Sequence, residues 1–354
     1  MQHLRRYPYR KNDLLQAWDS ADELLIDHLR TMNLEAKRIL IVNDHYGALS
    51  MALTGSGFTT YTDSFVSTEA IKINSQGKVT PVNHFCQWEG IYDYVFIQIP
   101  KNQSYFEDIL CHLTHHLREG SQIICGSMVK HLAPSSFDLI GKYIGPTTTS
   151  LALKKARLIF ASFEKEKADS PYPLKVTVEG FEKPFINHSN LFSREKLDIG
   201  TRFLLENMPG GAFDSILDLG CANGIIGISA KLLFPAARIA FSDESAMAIE
   251  SARVNYRSYF TDEAEFYWTN CFESGEKQSK DLILCNPPFH QSNTIGDFIA
   301  WQMFTDAKEA LKKGGLLRVI GNSHLGYQLK LKKLFTRVQV ITKNKKFMII
   351  DAYK

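Results

Sequence analysis

The sequence predicts an α/β fold made of two tandem Rossmann-like domains, each a mostly parallel, doubly wound sheet. Three observations predict it. Short β-rich apolar runs alternate with helical segments almost throughout, the pattern of strand-helix-strand units around a parallel sheet. A length of 354 residues favours two domains over one. Strings of the first half reappear, in the same order, in the second.

In the second half the strand-like runs are "SILDL" (215–219), "ARIAFS" (237–242), "EFYWT" (265–269), "DLILC" (281–285) and "GLLRVI" (315–320). Between the last two, Ala300, Phe304, Ala307 and Leu311 recur at helical spacing, and "KKGG" follows, where glycine can end a helix in the left-handed conformation. "RVQVI" and "KFMII" close the chain. They follow one another too closely for a crossover helix, so an antiparallel C-terminal hairpin at the sheet edge is expected.

The most polar, proline-containing interruption is "EKEKADSPYP" (164–173), which places the domains at 1–165 and 170–354. "ILIVNDHYGALS" (39–50) aligns without gaps on "ILDLGCANGIIG" (216–227), setting Gly47 under Gly224. "DYVFIQIP" (93–100) lies over "DLILCNPP" (281–288), and "REGSQIICGS" echoes "KKGGLLRVIGNS". Three matches in order point to a duplicated domain, against the plainer reading that all doubly wound domains share this grammar.

Composition narrows the class. With 44% hydrophobic and 22% charged residues the chain is an ordinary globular one, and a formal charge of +3 permits an anionic partner without requiring one. Cys86, Cys111, Cys125, Cys221, Cys271 and Cys285 form no CxxC pair, so free thiols in a reducing compartment are expected and no metal site is. The start, "MQHLRRYPYRKNDLLQAW", has no apolar stretch after its basic residues, and no run approaches a membrane span. A cytoplasmic protein with no membrane partner and no evident obligate protein partner is the expectation.

"DLGCANG" (218–224) follows a strand and precedes the helical "IIGISAKLLF". Glycines at this turn let a ligand approach the backbone at the carboxyl end of the first strand, the usual crevice of such sheets. The string is DxGxAxG rather than GxGxxG. A nicotinamide cofactor brings a pyrophosphate, which Asp218 would repel, whereas a carboxylate there suits the amino and sulfonium groups of S-adenosylmethionine. Gly220 and Gly224 shape the turn. A purely structural loop is the alternative.

Asp243, in "FSDES", comes 19 residues after Gly224, the spacing of a carboxylate that holds both ribose hydroxyls of an adenosine ligand. Its alternative is a helix cap, for which Ser245 is also available. Asn270, in "TNCF", can hydrogen-bond an adenine edge or simply make a turn.

"DLILCNPPFH" (281–290) ends a strand in one amide and two prolines. Neither proline can donate to a sheet ladder, so a purely structural reading fits a central strand poorly. Asn286-Pro287-Pro288-Phe289 puts an amide oxygen and a backbone carbonyl at the crevice in a stiffened turn. Both can accept from an exocyclic amine and stabilise the charge that develops on nitrogen as it attacks an electrophilic methyl. Phe289 can stack on the ring that carries the amine.

"DLGCANG", "SDES" and "NPPFH" together resemble the class I S-adenosylmethionine-dependent methyltransferases that modify exocyclic amines. "LFSREKLDIGTRFLL" (191–205) resembles the segment preceding the first motif in bacterial ribosomal RNA guanine-N2 methyltransferases. "LLQAWDSADELL", "ILIVNDHYGALS" and "IGPTTTSLALKKARLI" resemble the large-subunit methyltransferase G family, so the likeness covers nearly the whole chain. The resemblance implies two methyltransferase-type domains and N2-methylation of one guanine in 23S ribosomal RNA, assigned in the family to nucleotide 1835. It implies a cofactor side of Asp218, Gly220, Gly224, Asp243 and Asn270, with Phe192, Asp198 and Thr201 beside the methionine moiety. It implies a catalytic turn of Asn286, Pro287, Pro288 and Phe289. Ala222 departs from the family, where a glycine usually stands, and its methyl would crowd the adenosine side.

In the first half the positions of Asp218, Gly220 and Ala222 are taken by Ile41, Asn43 and His45, and the proline turn becomes Gln98-Ile99-Pro100. This copy reads as a degenerate methyltransferase-type domain left with RNA recognition. Lys154, Lys155 and Arg157, with Lys330, Lys332, Lys333, Lys343, Lys345 and Lys346 near the C-terminal edge, can neutralise phosphates, although such basic runs also serve as solvated surface.

Asn286 to Phe289 alone leave adenine-N6 and glutamine-N5 methyltransferases open. From other classes, a nicotinamide oxidoreductase lacks its glycine motif here, and a non-catalytic RNA-binding assembly factor would be separated by cofactor titration.

Overall fold

A computed structural model describes residues 3–9, 15–53, 57–288 and 294–354, and it divides into two compact units, Met1–Tyr172 and Pro173–Lys354. The division falls within the polar stretch 164–173.

The first unit runs α1 (Ser20–Leu29), β1 (Ile39–Val42), α2 (Ala48–Ala52), β2 (Phe58–Tyr61), α3 (Phe65–Asn74), β3 (Tyr94–Gln98), α4 (Gln103–Thr114), β4 (Gln122–Met128), α5 (Pro134–Tyr143), β5 (Thr147–Thr149) and β6 (Ala156–Ser162). Its sheet order is β2-β1-β3-β4-β6-β5, parallel from β2 to β4 and antiparallel for the last two. β1 is buried at every residue, which is why "ILIV" is continuously apolar rather than alternating.

The second unit begins with the ribbon β7 (Leu174–Val176) and β8 (Phe185–Asn187), then α6 (Ile199–Leu205). There follow β9 (Ser215–Leu219), α7 (Ile225–Leu233), β10 (Arg238–Asp243), α8 (Ala246–Tyr259), β11 (Glu265–Trp268), β12 (Lys280–Cys285) and α9 (Thr294–Ala310). The chain ends with β13 (Leu311–Asn322), α10 (Tyr327–Lys332), β14 (Arg337–Lys343) and β15 (Phe347–Tyr353). The sheet order is β11-β10-β9-β12-β13-β15-β14, so the hairpin β14–β15 stands antiparallel at the edge as the short connection requires. Without β11 this order reproduces that of the first unit strand for strand, and where β11 would lie the first unit keeps a single parallel bridge, Tyr61 to Val82.

Period-2 alternation sorts the central strands into two layers. Ile216, Leu282, Leu284, Leu316 and Ile320 pack with Phe241 against Leu204 of α6, Ile228 of α7 and Ala252 of α8. Leu217, Leu219, Ile283, Cys285, Leu317 and Val319 face Ala300, Met303, Phe304 and Ala307 of α9 and Leu331 of α10. Arg318 and Asp351 join β13 to β15 through two 2.7 Å bonds, a bidentate pair buried on both sides.

One expectation is corrected. Helix α9 ends at Ala310, and Leu311 already pairs with Lys280 as the first residue of β13. The register then jumps so that Leu282 faces Leu316, which makes "KKGG" a bulge. Gly314, at φ 80°, donates to the carbonyl of Lys354. The positive φ that glycine permits serves a strand irregularity here, not a helix end.

All six cysteines are free, with Cys86 exposed and Cys271 half-buried. Among the described residues no helix is long and apolar enough to cross a membrane, and no group of three or more His, Cys, Asp or Glu is placed to hold a metal.

Candidate active site

The crevice of the second unit opens where the chain order reverses, between the carboxyl ends of β9 and β12, the middle strand of the seven. The turn after β9 is held by Gly220 at φ 77° and Gly224 at φ 82°. A methyl added at Gly224 would sit 3.1 Å from the Ala252 backbone, so that position is tight in space as well as in backbone, whereas one at Gly220 would meet only the terminal methyl of Met303 at 3.1 Å and glycine is favoured there by its φ. Ala222 also adopts the left-handed conformation, φ 47°, and its N–H donates to Asp243 Oδ2 at 3.0 Å.

Asp218 is fully buried. Its Oδ2 accepts from Gly227 N at 2.8 Å at the start of α7, while Oδ1 is buried with no partner. Burial pushes the carboxyl up to about 7; the Gly227 N–H opposes this and the nearby Asp243 adds to it. A buried carboxylate with one orphaned oxygen is costly until a cation or donor reaches it.

Asp243 braces the turn from the end of β10. Besides Ala222 it accepts from Ser245 N at 3.0 Å through Oδ1, and Ser245 itself caps α8 by accepting from Ala248 N at 3.2 Å. The cap therefore belongs to Ser245, and the Asp243 carboxylate is turned toward the glycine turn instead. Asn270, after β11, donates to Glu273 Oε2 at 3.0 Å inside its own turn.

At the end of β12, Asn286 donates through Nδ2 to Thr201 Oγ1 at 2.9 Å, and its Oδ1 is buried and unpartnered. Thr201 is fixed in turn by Asp198, the cap of α6, which accepts from Thr201 N at 2.9 Å and from its hydroxyl at 3.5 Å. Asp198 and Thr201 thus orient the Asn286 amide. Pro287 is buried and Pro288 half-buried, whereas Phe289 lies outside the described residues. Phe192 is 60% exposed.

Sequence reasoning missed an asparagine lattice around the turn. Asn223 donates to Asn187 Oδ1 at 3.0 Å, and Asn255 donates to the carbonyls of Asn223 and Ile186 at 2.9 and 3.0 Å. It ties β8 and α8 to the glycine turn. The only signal in the sequence was the asparagine inside "CANG".

The first unit shows what happens to the same positions without the ligands. Gln98, aligned with Asn286, donates through Nε2 to Asp22 Oδ1, and Asp22 stands three residues after the cap Asp19 as Thr201 stands three after Asp198. Ile41, in place of Asp218, belongs to the apolar core. Asp44 takes over the helix-capping work, accepting from Gly47 N at 3.1 Å and from Ser50 N, the counterpart of Gly227 N, at 2.7 Å. Asn43 replaces Gly220, donating to Gln98 O at 3.3 Å and accepting from Tyr105 Oη at 3.0 Å, so side chains occupy the crevice. His45, in place of Ala222, is exposed, and the strand register places Thr62 where Asp243 stands.

The basic residues fall into separate groups. Lys154 and Lys155 form the tip between β5 and β6, beyond Met128 at the carboxyl end of β4; Lys154 pairs with Glu23 at 2.7 Å. Arg157 is half-buried on β6, its Nε enclosed without a partner. Lys343, Lys345 and Lys346 are exposed at the β14–β15 tip, where Lys346 O accepts from Ser323 N at the crevice end of β13. Lys330 lies over the Tyr327 ring at 5.5 Å. Lys332 and Lys333 are exposed at the end of α10, on the way to Thr336, which bonds Tyr353 opposite Leu316 of β13.

Comparison with known proteins agrees with this geometry. Residues 1–165 match the RLMG N-terminal domain and residues 182–351 the methyltransferase small domain. The chain is 42% identical to the ribosomal RNA large subunit methyltransferase G of Psychromonas ingrahamii, over 99% of this chain and 96% of that protein. It is 40% identical to that of Pseudomonas putida, over 99% and 97%. A T. thermophilus 16S rRNA N2 G1207 methyltransferase, solved with AdoMet and guanosine, shares the fold with a TM-score of 0.81 at 19% identity, covering 95% of this chain and 92% of that one. The chain belongs to the ribosomal RNA large subunit methyltransferase G family and is an S-adenosylmethionine-dependent methyltransferase.

Proposed function

We propose that the protein methylates the exocyclic N2 amine of a guanine in 23S ribosomal RNA, working in the cytoplasm. The observation that carries the amine chemistry is the Asn286 amide: Thr201 occupies its donor end, leaving Oδ1 as a buried acceptor with nothing to accept from; the choice of guanine and of the large-subunit RNA rests on the family and on the guanosine-bound neighbour. An exocyclic amine supplies the missing donor. Accepting one N–H there orients the nitrogen and stabilises the positive charge that grows on it as the N–C bond forms. S-adenosylmethionine, when bound, would supply the methyl and keep the C–S bonding pair as a neutral thioether, while the amine held by Asn286 sheds its extra proton to solvent after transfer, so no strong base is required.

The residues present fit S-adenosylmethionine, because the orphaned Asp218 Oδ1 suits a cationic group and Asp243 sets a carboxylate at the end of the neighbouring strand, to which ribose hydroxyls can donate. Gly220 and Gly224 keep the wall thin enough for close approach. Residues 170–354 form the catalytic domain. Residues 1–165 recognise RNA: Ile41 takes the place of Asp218, Asp44 is engaged by the Gly47 and Ser50 N–H groups and Asp22 by Gln98, so among the described residues this unit holds no unpartnered buried carboxyl or amide oxygen like those of Asp218 and Asn286.

The test is to incubate the protein with labelled S-adenosylmethionine and total ribosomal RNA from a strain lacking the enzyme, then map the modified base. Label on N2 of a single large-subunit guanine is expected. Label on an adenine or on protein would overturn the reading.

A further inference from the structure

Among the described residues, three carboxyl or amide side-chain oxygens are buried without a hydrogen-bond partner: Asp218 Oδ1, Asn286 Oδ1 and Asn322 Oδ1. They are not scattered. They belong to β9, β12 and β13, consecutive strands of one sheet, each within one residue of its strand's carboxyl end. They also share a face. Ile216, Leu282, Leu284, Leu316 and Ile320 all point to the layer under α6, and alternation puts Asp218, Asn286 and Asn322 on that same side. Asp218 and Asn286 already have roles in the proposed reaction. Asn322 has none.

The register fixes its place. Cys285 pairs with Val319, so Asn286 comes level with Ile320 and Asn322 lies one pleat further out, on the neighbouring strand. That is about 4.8 Å sideways and about 6.6 Å along the strands between their Cα positions. The backbone of Asn322 is pinned by pairing with Phe347, and the residue is only 9% exposed. A buried amide oxygen left unpaired on a rigid strand is a cost that a ligand donor removes.

We infer that Asn322 is a specificity-determining residue whose Oδ1 accepts the N1–H of the target guanine while Asn286 accepts from N2; this rests on the N2-guanine reading above. Guanine presents two adjacent donor positions, N1–H and N2–H₂, on one edge. Two acceptor oxygens on neighbouring strands match that pair. Adenine presents a lone pair at N1 beside its amine, which Asn322 Oδ1 would repel. The choice between guanine-N2 and adenine-N6 chemistry, which the proline turn leaves open, thereby falls to the next strand.

The experiment compares N2-methylation of a 23S ribosomal RNA fragment carrying guanine at the mapped position with one carrying 2,6-diaminopurine, which keeps the N2 amine but has a lone pair at N1. The wild-type protein should prefer guanine by tenfold or more, on the order expected when a buried acceptor is left unpaired. Asn322→Leu should lose at least tenfold on guanine and bring the two substrates within about threefold of each other. Asn322→Asp, which keeps an acceptor of the same shape, should retain the preference, and cofactor binding by calorimetry confirms that each variant is folded. Wild-type discrimination in Asn322→Leu, or none in the wild-type protein, would overturn the assignment of Asn322. Wild-type label at an atom other than N2 would instead overturn the reading on which it rests.

Discussion

Asn286 Nδ2 and Thr201 Oγ1 are 2.9 Å apart, and this one bond decides which end of the Asn286 amide faces the crevice. Thr201 cannot serve Asn286 as a donor and Asp198 as a donor at once. Because its hydroxyl points to the Asp198 carboxylate, its oxygen must accept from the amide nitrogen, leaving the amide oxygen inward.

Asn286→Ala should leave cofactor affinity nearly intact and slow single-turnover methyl transfer by about two orders of magnitude, the usual loss for one preorganised polar group. Thr201→Val removes only the orienting acceptor and should cost about tenfold. In the double variant the Thr201 change should add almost nothing, because both act on the same oxygen. Additive effects would show that Thr201 acts elsewhere.

Asp243→Ala should weaken S-adenosylmethionine by about 1.5–3 kcal/mol, roughly tenfold or more, through lost charge-assisted bonds to the ribose. Since Asp243 also braces Ala222 and Ser245, Asp243→Asn is the gentler partner variant. Unchanged affinity in both, measured by calorimetry, would remove Asp243 from the cofactor site.

The raised Asp218 carboxyl makes a signed pH prediction. Its folded value of about 7 lies above the ordinary aspartate value of 3.8, so between these the native state holds a proton that the unfolded chain has released. The associated stability is present below the unfolded value and is lost as pH rises toward and through about 7. Apo Asp218→Asn should therefore melt higher than wild type at pH 8, on the order of 5 °C, with the gap closing toward pH 4. Cofactor affinity should run the other way in the wild-type protein, rising from pH 6 to 8 as the carboxylate that meets the cation ionises. A flat melting difference across this range would mean that Asp218 titrates normally.

Residues 1–172 should bind RNA without S-adenosylmethionine, and residues 173–354 should bind the cofactor yet methylate RNA poorly, because one catalytic pocket reaches few phosphates. Lys155→Glu, with Lys154 reversed alongside it, should weaken RNA binding in the full chain and lower its salt dependence by about one counterion for each phosphate no longer neutralised. Full site-selective activity in the second fragment alone would withdraw the recognition role.

Much of this architecture is legible in the sequence. "SILDL" and "DLILC" read as strands because burial on both faces demands continuous apolar runs, and "DLGCANG" and "NPP" stand out because only glycine readily tolerates those φ values and only an unusual need places two prolines after a central strand. The duplicated order is readable from "ILIV" over "ILDL" because gap-free strings carry register with them. The bulge at "KKGG" is not readable, because glycine's positive φ serves a helix end and a strand irregularity equally well, and the choice depends on Lys280 and Lys354 across the sheet. Nor could local pattern show that Asp198 and Thr201 orient Asn286, that Asp44 replaces Asp218 as a cap, or that Asn322 shares a face with Asn286. Sequence order determined which groups end each strand; only tertiary structure decided which of those groups keep a free lone pair, because hydrogen-bond satisfaction is settled between residues that folding brings together, as it brings Asn286 to Thr201 across 85 positions.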